Sequence, residues 1–316
     1  MKALDLITQV LEVLSALAAA PLFAGWINQC RAWLQNRRAP SLWLPYRGIR
    51  KLFHKDAAIA EHASPLFRVA PYVVFGAMVV AAAIIPSMGT ALPFAPAADA
   101  IALVGLLATA RVFLSLAAMD IGTAFGTLGA RREMMVGFLA EPALLMVIFV
   151  ASLISATTAL PAITENLATQ TPGIYPSLAF TAIAFTMVLL AENARIPIDN
   201  PATHLELTMI HEAMLLEYSA RHLALMEWAA ALKLFNYACI GFALFVPWGV
   251  STGASGPSAL LASIPLLGAK LCVAGIALAF IETLSAKLRV FRAPEFLATA
   301  FLFAVLGLLV HLLLGA

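Results

Sequence analysis

Long apolar segments make up most of the chain, and short polar connections separate them. Eight of these segments meet or approach the length of about 20 residues that a helix needs to cross the hydrocarbon layer of a membrane. They run approximately over residues 4–27, 68–88, 98–119, 135–158, 175–192, 224–250, 260–284 and 293–315. The pattern predicts an all-α polytopic membrane protein with about eight transmembrane helices, in which residues 1–316 form a single integral membrane domain.

Composition agrees with a membrane protein. Hydrophobic residues account for 62% of the 316 positions, and the mean hydropathy is +0.94. Asp, Glu, Lys and Arg together account for only 11%, against about 25% in an average soluble domain. These values exclude an ordinary soluble globular fold, and nothing in them indicates a nucleic-acid-binding protein.

The distribution of Lys and Arg predicts the orientation of the helices. The first, third, fifth and seventh connections contain these residues, whereas the second, fourth and sixth contain none. Basic residues are enriched in cytoplasmic connections of membrane proteins. The two longest connections, residues 28–67 and 193–223, are therefore expected in the cytoplasm, with both termini on the non-cytoplasmic side.

Several charged residues fall inside the predicted spans, where an unpaired charge is costly. Four lie near the middle of a span, and five lie in the third nearest the predicted cytoplasmic side. The first group is Glu12, Arg111, Lys233 and Lys270, and the second is Asp120, Glu141, Glu192, Glu227 and Glu282. A series of carboxylates leading from the surface toward buried bases is what a proton path requires. Structural ion pairs between helices are the alternative interpretation, and both remain open at this point.

Residues 191–222 are the most polar stretch near any span. They contain five of the 17 acidic residues and three of the six histidines. Pro197 and Pro201 prevent the fifth span from continuing, so a new helix is expected after Pro201 that leads toward the sixth span. On a continuous helix His204, His211 and His222 would share one face. A break near "EYSA" at 217–220 would change that assignment.

No metal site is predicted for this chain. Cys30, Cys239 and Cys272 are far apart in sequence and form no CxxC pair. The segment "HEAML" at 211–215 has Leu215 where a zinc-binding HExxH motif needs its second histidine. Neither an iron–sulfur cluster nor a zinc ion is expected.

Four stretches carry a resemblance to a known family. They are "AENARIPIDNP" with the following "LEL" and "EYS" at 191–219, "NRRAPSLWLPYRGIRKLF" at 36–53, "PLFRVAPYVVF" at 65–75, and "ARVFLSLAAMDIGTAFGTLGARREMMVGFLAEPALL" at 110–145. Together they resemble the quinone-site membrane subunit of respiratory complex I, also called NADH dehydrogenase subunit 1. The fourth stretch is more similar to the membrane subunits of formate hydrogenlyase and hydrogenase-4.

The resemblance, the charges inside the spans and the histidines of the polar stretch together indicate two sets of functional residues. The proton relay and coupling set is Asp120, Glu141, Glu192, Asp199, Glu206, Glu217, Glu227, Lys233 and Glu282. The set that contacts a peripheral arm or borders a quinone cavity is Arg38, Pro40, Tyr46, Arg47, Lys51, Arg132, Glu133, Arg195, His204 and His211. His204 replaces an acid that is usual in the family, and "TMIHEAMLL" at 208–216 is longer than in complex I, which leaves quinone binding open.

The resemblance also implies a function. The chain is expected to be a non-catalytic membrane subunit of a complex I-related hydrogenase of the hydrogenase-4 or formate hydrogenlyase type, in the bacterial inner membrane. It would link a peripheral redox arm to proton translocation. The alternative is the quinone-site subunit of a proton-pumping NADH:quinone oxidoreductase, and an autonomous ion transporter is a third hypothesis.

Cofactors and partners follow from the same expectation. Iron–sulfur clusters, and a nickel–iron centre if one is present, would be bound by partner subunits and not by this chain. The expected partners are hydrogenase-like large and small subunits and an iron–sulfur protein on the cytoplasmic side, antiporter-like subunits within the membrane, and the lipid bilayer.

Overall fold

The computed structural model describes residues 2–94, 99–169, 176–196, 198–199, 209–251, 257–285 and 292–314. These residues form helices joined by turns and irregular connections, with isolated β-bridges but no strand among them. The helices are α1 Lys2–Leu34, α2 Leu44–Phe53, α3 Pro65–Ile84, α4 Ala100–Asp120, α5 Ala124–Ser155, α6 Leu160–Thr169, α7 Pro176–Glu192, α8 His211–Leu215, α9 Ala220–Phe245, α10 Pro257–Leu284 and α11 Ala293–Leu314. The predicted all-α membrane fold is confirmed.

Seven of these helices are long and apolar enough to cross a membrane: α1, α3, α4, α5, α9, α10 and α11. The eighth apolar helix, α7, has 17 residues. The helix that contains the fourth predicted span begins at Ala124 and not near residue 135, because Thr123 caps its N-terminus by accepting the Gly126 N–H. α2 and α6 lie within connections, where the apolar pattern predicted no helix.

The prediction of a continuous helix that leads into the sixth span is wrong at residues 216–219. α8 ends at Leu215, and α9 begins only at Ala220, whose φ of 49° lies in the left-handed region. The Tyr218 N–H bonds back to the Leu215 carbonyl at 3.0 Å, which closes a turn between the two helices. The break therefore falls at the "EYSA" segment, and His211 and His222 do not share one helix.

Small residues let the helices approach closely. Ala117, Ala140, Ala143 and Ala184 are completely buried where α4, α5 and α7 pack together. Helix association in membranes depends on such close van der Waals packing, because lipid tails are as apolar as the side chains they replace. α7 is packed between α5 and α11, and α3 contacts both α4 and α9.

The connections gather on two separate faces. On one of them the Ser64 N–H donates to the Asp120 carboxylate at 2.9 Å, and Ser219 exchanges hydrogen bonds with the backbone of Ala58. The described parts of the first, third and fifth connections, residues 35–64, 121–123, 193–196, 198–199 and 209–219, thus lie together. We call this side the charged face, and it is the side that the distribution of Lys and Arg predicts to be cytoplasmic.

The even-numbered connections meet on the opposite face. The Thr90 N–H donates to the Ser251 carbonyl at 2.9 Å, and the Ala100 N–H donates to the Thr158 carbonyl at 3.1 Å. Glu12 is fully buried there, and its Oε1 accepts the N–H groups of Met88 and Gly89, both at 2.8 Å. Its carboxylate holds the connection after α3 against α1.

Candidate functional site

Arg111 is the centre of a buried group of charges. It lies on α4 with only 6% of its surface exposed, and its two terminal nitrogens contact Glu141 and Glu192. Its Nε lies 3.5 Å from Glu133 Oε1. One guanidinium group therefore contacts three carboxylates, two from α5 and one from the end of α7.

Lys233 on α9 completes the group. Its Nζ lies 2.9 Å from Glu192 Oε2, so the Glu192 carboxylate bridges two bases. We call Arg111, Glu133, Glu141, Glu192 and Lys233 the central ion cluster. Two bases face three carboxylates, so the fully ionised cluster carries one excess negative charge. A single added proton would neutralise it.

Glycine at position 137 makes room for the cluster. An added Cβ there would overlap the end of the Arg111 side chain, which lies close to this part of α5. Glu133 and Glu141 stand four residues on either side of Gly137, and residues four apart lie on one face of a helix. The two carboxylates therefore lie on either side of the arginine, and the glycine between them leaves space for it.

A second ion cluster lies nearer the charged face. Glu282 on α10 contacts Arg195 at 3.1 Å and Arg31 at 3.3 Å. Its own side chain is 1% exposed, whereas those of Arg195 and Arg31 are 18% and 35% exposed. We call these three residues the Glu282 cluster. It carries one excess positive charge.

A crevice with a volume of about 710 Å³ opens on the charged face. Its walls come from the end of α1, the connection after it, residues 193–196 and 199, α8, α9 and α10. Seven charged side chains line these walls: Arg31, Arg37, Arg38, Arg195, Asp199, Glu212 and Glu282. The Glu282 cluster thus lines the crevice, and the crevice is wide enough for many waters.

A smaller inner cavity adjoins the central ion cluster. Its volume is about 30 Å³, which leaves room for about two waters. Arg111, Glu133 and Lys233 line one side of it, and apolar side chains of α3, α4 and α9 line the rest. His211 and Ala230 line both this cavity and the crevice.

The short helix α8 is held in place by polar contacts to its first residues. Asp199 Oδ2 accepts the N–H groups of Ile210 and His211 at 3.2 and 3.1 Å. Arg132 Nη1 donates to the Met209 carbonyl at 2.9 Å. Gly129 permits the close packing on α5, because a Cβ at that position would lie 2.8 Å from the Ile210 carbonyl oxygen.

Burial in this place changes the protonation of His211. Loss of solvation and, to a smaller extent, the positive charge of Lys233 together lower its pKa from 6.5 to about 4. His211 is therefore neutral near pH 7. A neutral imidazole has one N–H donor and one bare nitrogen that accepts.

The other predicted relay residues lie apart from the central ion cluster. Glu217 and Glu227 are exposed, and the Glu227 carboxylate lies beside Gly48 of α2. Asp120 accepts the Ser64 N–H and so joins two connections of the charged face. His204 and Glu206 lie outside the described residues.

The predicted contact residues of the first connection divide into two groups. Arg38 and Pro40 line the crevice, and the Pro40 carbonyl accepts from the Gln29 side chain at 2.9 Å. Arg47 and Lys51 are exposed on α2, outside the crevice lining. Tyr46 donates its hydroxyl to the Ala18 carbonyl of α1 and packs against Trp43, with ring centroids 5.6 Å apart.

Two arginines at these centres were not among the predicted site residues. Arg111 was noted as a charge inside a span, but its three partners lie 22 to 81 positions away in sequence. Arg31 falls near a predicted helix end, where a basic residue normally contacts lipid headgroups or water. The available signal for Arg111 was its position in the middle of a span, since a lone charge there needs a partner.

Within the part of the chain that the structure describes, no group of three or more His, Cys, Asp or Glu side chains is placed to hold a metal ion. The three cysteines are free, with Cys30 and Cys239 buried and Cys272 exposed. The described site combines ion pairs, two cavities and one neutral histidine.

Two membrane-complex subunits of Escherichia coli are similar to this chain. Formate hydrogenlyase subunit 4 of Escherichia coli is 32% identical over 304 residues, which cover 94% of this chain and 96% of the relative. Hydrogenase-4 component C of the same organism is 37% identical over 235 residues, covering 74% and 73%.

A solved structure shows the same fold. It is that of the membrane-bound sulfane sulfur reductase, an archaeal respiratory membrane complex, with a TM-score of 0.81 at 20% identity over 95% of this chain and 97% of the matched one. The similarity to the two bacterial relatives, together with the multiple apolar helices, shows a multi-pass protein of the inner membrane. The family model for NADH dehydrogenase matches residues 7–313, and the chain therefore belongs to the NADH dehydrogenase family, as a membrane subunit related to complex I.

Proposed function

We propose that this chain is the membrane-anchoring and proton-coupling subunit of a membrane-bound hydrogenase of the hydrogenase-4 or formate hydrogenlyase type. The observation that carries the proposal is the central ion cluster, which binds α4, α5, α7 and α9 together and has one more carboxylate than bases. Such a cluster changes its net charge by taking up or releasing one proton. That change is the elementary step of proton movement through a membrane.

The coupling would be electrostatic. Glu192 is the last residue of α7, and the residues directly after it line the crevice on the charged face. A change of charge in a partner subunit at the crevice would act on Glu192 through weakly screened protein. Asp199 and Arg195 line the crevice and would respond to the same change of charge.

Anchoring of the peripheral arm is assigned to the charged face. Arg37, Arg38, Arg47, Arg50 and Lys51 are all exposed there. An acidic surface on a hydrogenase-like large or small subunit, or on an iron–sulfur protein, would complement them. Redox centres remain on those partners in this proposal, and antiporter-like subunits would pack laterally against the membrane-facing helices.

The quinone-site alternative is less well supported. Sites for small apolar ligands are lined mainly by hydrophobic and aromatic side chains with a few polar groups. The crevice instead carries seven charged side chains. Photolabelling with a quinone analogue separates the alternatives, because labelling at Arg38 or Pro40 would favour a quinone cavity.

The proposal is tested by Glu141→Gln and Glu192→Gln in the assembled complex. Inverted membrane vesicles would be supplied with reduced methyl viologen, with hydrogen formation and acidification of the vesicle interior measured in parallel. Each variant is expected to reduce acidification about tenfold or more at a similar rate of hydrogen formation. Glu217→Gln is the matched control, because this exposed carboxylate lies outside the cluster.

Retained acidification in both variants would contradict the coupling role. An absence of hydrogen formation in the unmodified complex would contradict the assignment to a hydrogenase.

A further inference from the structure

His211 occupies the boundary between two spaces that could contain water. It lines the crevice of about 710 Å³ on the charged face and also the inner cavity of about 30 Å³ beside the central ion cluster. Ala230 of α9 lines both spaces as well. The boundary therefore consists of one side chain that can exchange protons and one methyl group that cannot.

The position of the imidazole is fixed from its backbone. Asp199 accepts the His211 N–H, and Arg132 holds the preceding turn through the Met209 carbonyl. A Cβ at Gly129 would come within 2.8 to 3.1 Å of Ile210, Ala213 and Met214, so α8 rests directly on the backbone of α5. These contacts hold α8 on both sides, so the backbone of His211 has a defined position.

We infer that His211 transfers protons between water in the crevice and water in the inner cavity, and so supplies the central ion cluster. This inference rests on the proposed coupling function and names the residue through which the protons enter. The sequence alone assigned His211 only to the set of residues that would contact a peripheral arm or border a quinone cavity.

The step is balanced at the imidazole ring. The bare ring nitrogen accepts a proton from crevice water, and the other nitrogen releases its own proton to water beside Glu133 or Lys233. Rotation of the ring then turns the protonated nitrogen back toward the inner cavity and prepares the next transfer in the same direction. Because the pKa of His211 is lowered to about 4, the doubly protonated ring does not accumulate near pH 7 and does not hold the proton.

Charged groups from several elements line the same two spaces as this ring. They are Arg111 on α4, Glu133 on α5, Asp199 after α7, Glu212 on α8 and Lys233 on α9. Arg111 and Lys233 oppose a standing positive charge on the imidazole, and the carboxylates permit a brief one. These charges therefore favour transfer of a proton through the imidazole over a stable protonated imidazole.

The first test replaces the imidazole. His211→Gln retains a polar side chain of similar length but cannot relay a proton between two nitrogens. In the assembled complex, with vesicles and reduced methyl viologen, we expect acidification to fall about tenfold or more while hydrogen formation from the viologen persists. His222→Gln is the matched control, because His222 is buried against Tyr72 and lines neither space.

Chemical rescue separates proton transfer from a structural role. In His211→Ala the crevice is wide enough to admit free imidazole, which is expected to restore a substantial part of the lost acidification. Restoration of the rate by a small diffusible base is not expected if His211 only supports α8. An absence of rescue, together with normal acidification in His211→Gln, would overturn the inference.

A second variant tests the same boundary with His211 intact. Ala230→Leu would fill the space between the crevice and the inner cavity and is expected to lower acidification several-fold. Ala231→Leu adds the same volume one position along α9, away from both spaces, and is expected to change it little. If His211→Gln fails to assemble, this pair decides the question.

The outcomes distinguish this inference from the broader proposal. If Glu192→Gln abolishes acidification while His211→Gln and Ala230→Leu leave it unchanged, the coupling function stands and the assignment of His211 is wrong. If none of the three changes it, the coupling function itself fails.

Discussion

The two ion clusters of this protein are built from the same residue types but have opposite charge balance. The central ion cluster places three carboxylates around two bases, with Arg111 and Glu192 almost completely buried. The Glu282 cluster places one buried carboxylate between two arginines that are partly exposed to the crevice. The excess charge is therefore negative in the interior and positive at the surface.

This difference shows why a buried acid alone does not identify a proton path. Glu282 lies between two guanidinium groups, and adding a proton there would increase the net positive charge of its cluster. The central ion cluster would become neutral on gaining one proton. The first arrangement is suited to structure and to attraction of acidic partners, and the second to proton exchange.

The largest expected effect comes from removal of the central guanidinium. Arg111→Met would leave the carboxylates of Glu133, Glu141 and Glu192 without their shared partner. Breaking a buried ion pair from one side costs about 3 to 5 kcal/mol of stability. Thermal unfolding in detergent, followed with a thiol-reactive dye that reaches Cys30 and Cys239 only on unfolding, would measure it in a Cys272→Ser background.

Arg131→Met is the control for this experiment. Arg131 is the same residue type, lies in the first part of α5, and is exposed. Equal stability of Arg111→Met and the control would mean that the central ion cluster does not hold its helices together.

A smaller effect is expected from the Glu282 cluster. Glu282→Gln retains the shape of the side chain but loses the charge that faces Arg31 and Arg195. Because both arginines reach solvent, we expect a loss of about 1 to 2 kcal/mol in the same unfolding assay. The variant should leave proton-coupled turnover largely intact, and strong uncoupling would show that the two clusters act as one.

The pH dependence of stability should separate the interior from the surface in a further way. Folding lowers the pKa of His211 from 6.5 to about 4, so the unfolded chain binds the proton more readily. The stability of the native protein should therefore fall as the pH drops below about 6.5. From pH 7 to 5.5 this loss amounts to about 1 kcal/mol, and His211→Gln should lack it. Parallel pH profiles of unfolding for the two proteins would contradict the burial of this imidazole.

The smallest effect is expected at the most exposed pair. Arg31→Ala removes an ion pair whose basic partner has 35% of its side chain exposed. Solvent-exposed pairs contribute only a few tenths of a kcal/mol, and salt weakens them further. Unfolding at low and high salt would measure the change, and a large effect that does not depend on salt would assign Arg31 to the buried group.

Hydropathy was sufficient to predict the membrane fold, because each span is apolar over most of its length. It placed the start of the fourth span at residue 135, whereas α5 begins at Ala124 with the polar run that includes Arg131, Arg132 and Glu133. Those residues are helical but not apolar, so a hydropathy pattern does not detect them. α2 was missed for a related reason, since its ten residues are amphipathic and too short for a span.

The candidate site was only partly predictable. Glu141, Glu192 and Lys233 were identified as buried charges, but their convergence on Arg111 depends on how α4, α5, α7 and α9 pack, which a single sequence does not encode locally. Glu217 and Glu227 were grouped with them, yet the turn at residues 216–219 and the rotation of α9 leave both exposed. The place of His211 could not be predicted, because it depends on that same break in the helix.

Gly137 makes the central ion cluster recognisable in sequences without structures. Since a methyl group at this position would meet the Arg111 side chain, a relative that retains the arginine but has a larger residue here has to place its guanidinium differently. The combination of an arginine on one helix with Glu-x3-Gly-x3-Glu on the next is therefore a compact four-residue signature. It would sort uncharacterised membrane proteins of this family by whether they can build this charge arrangement at all.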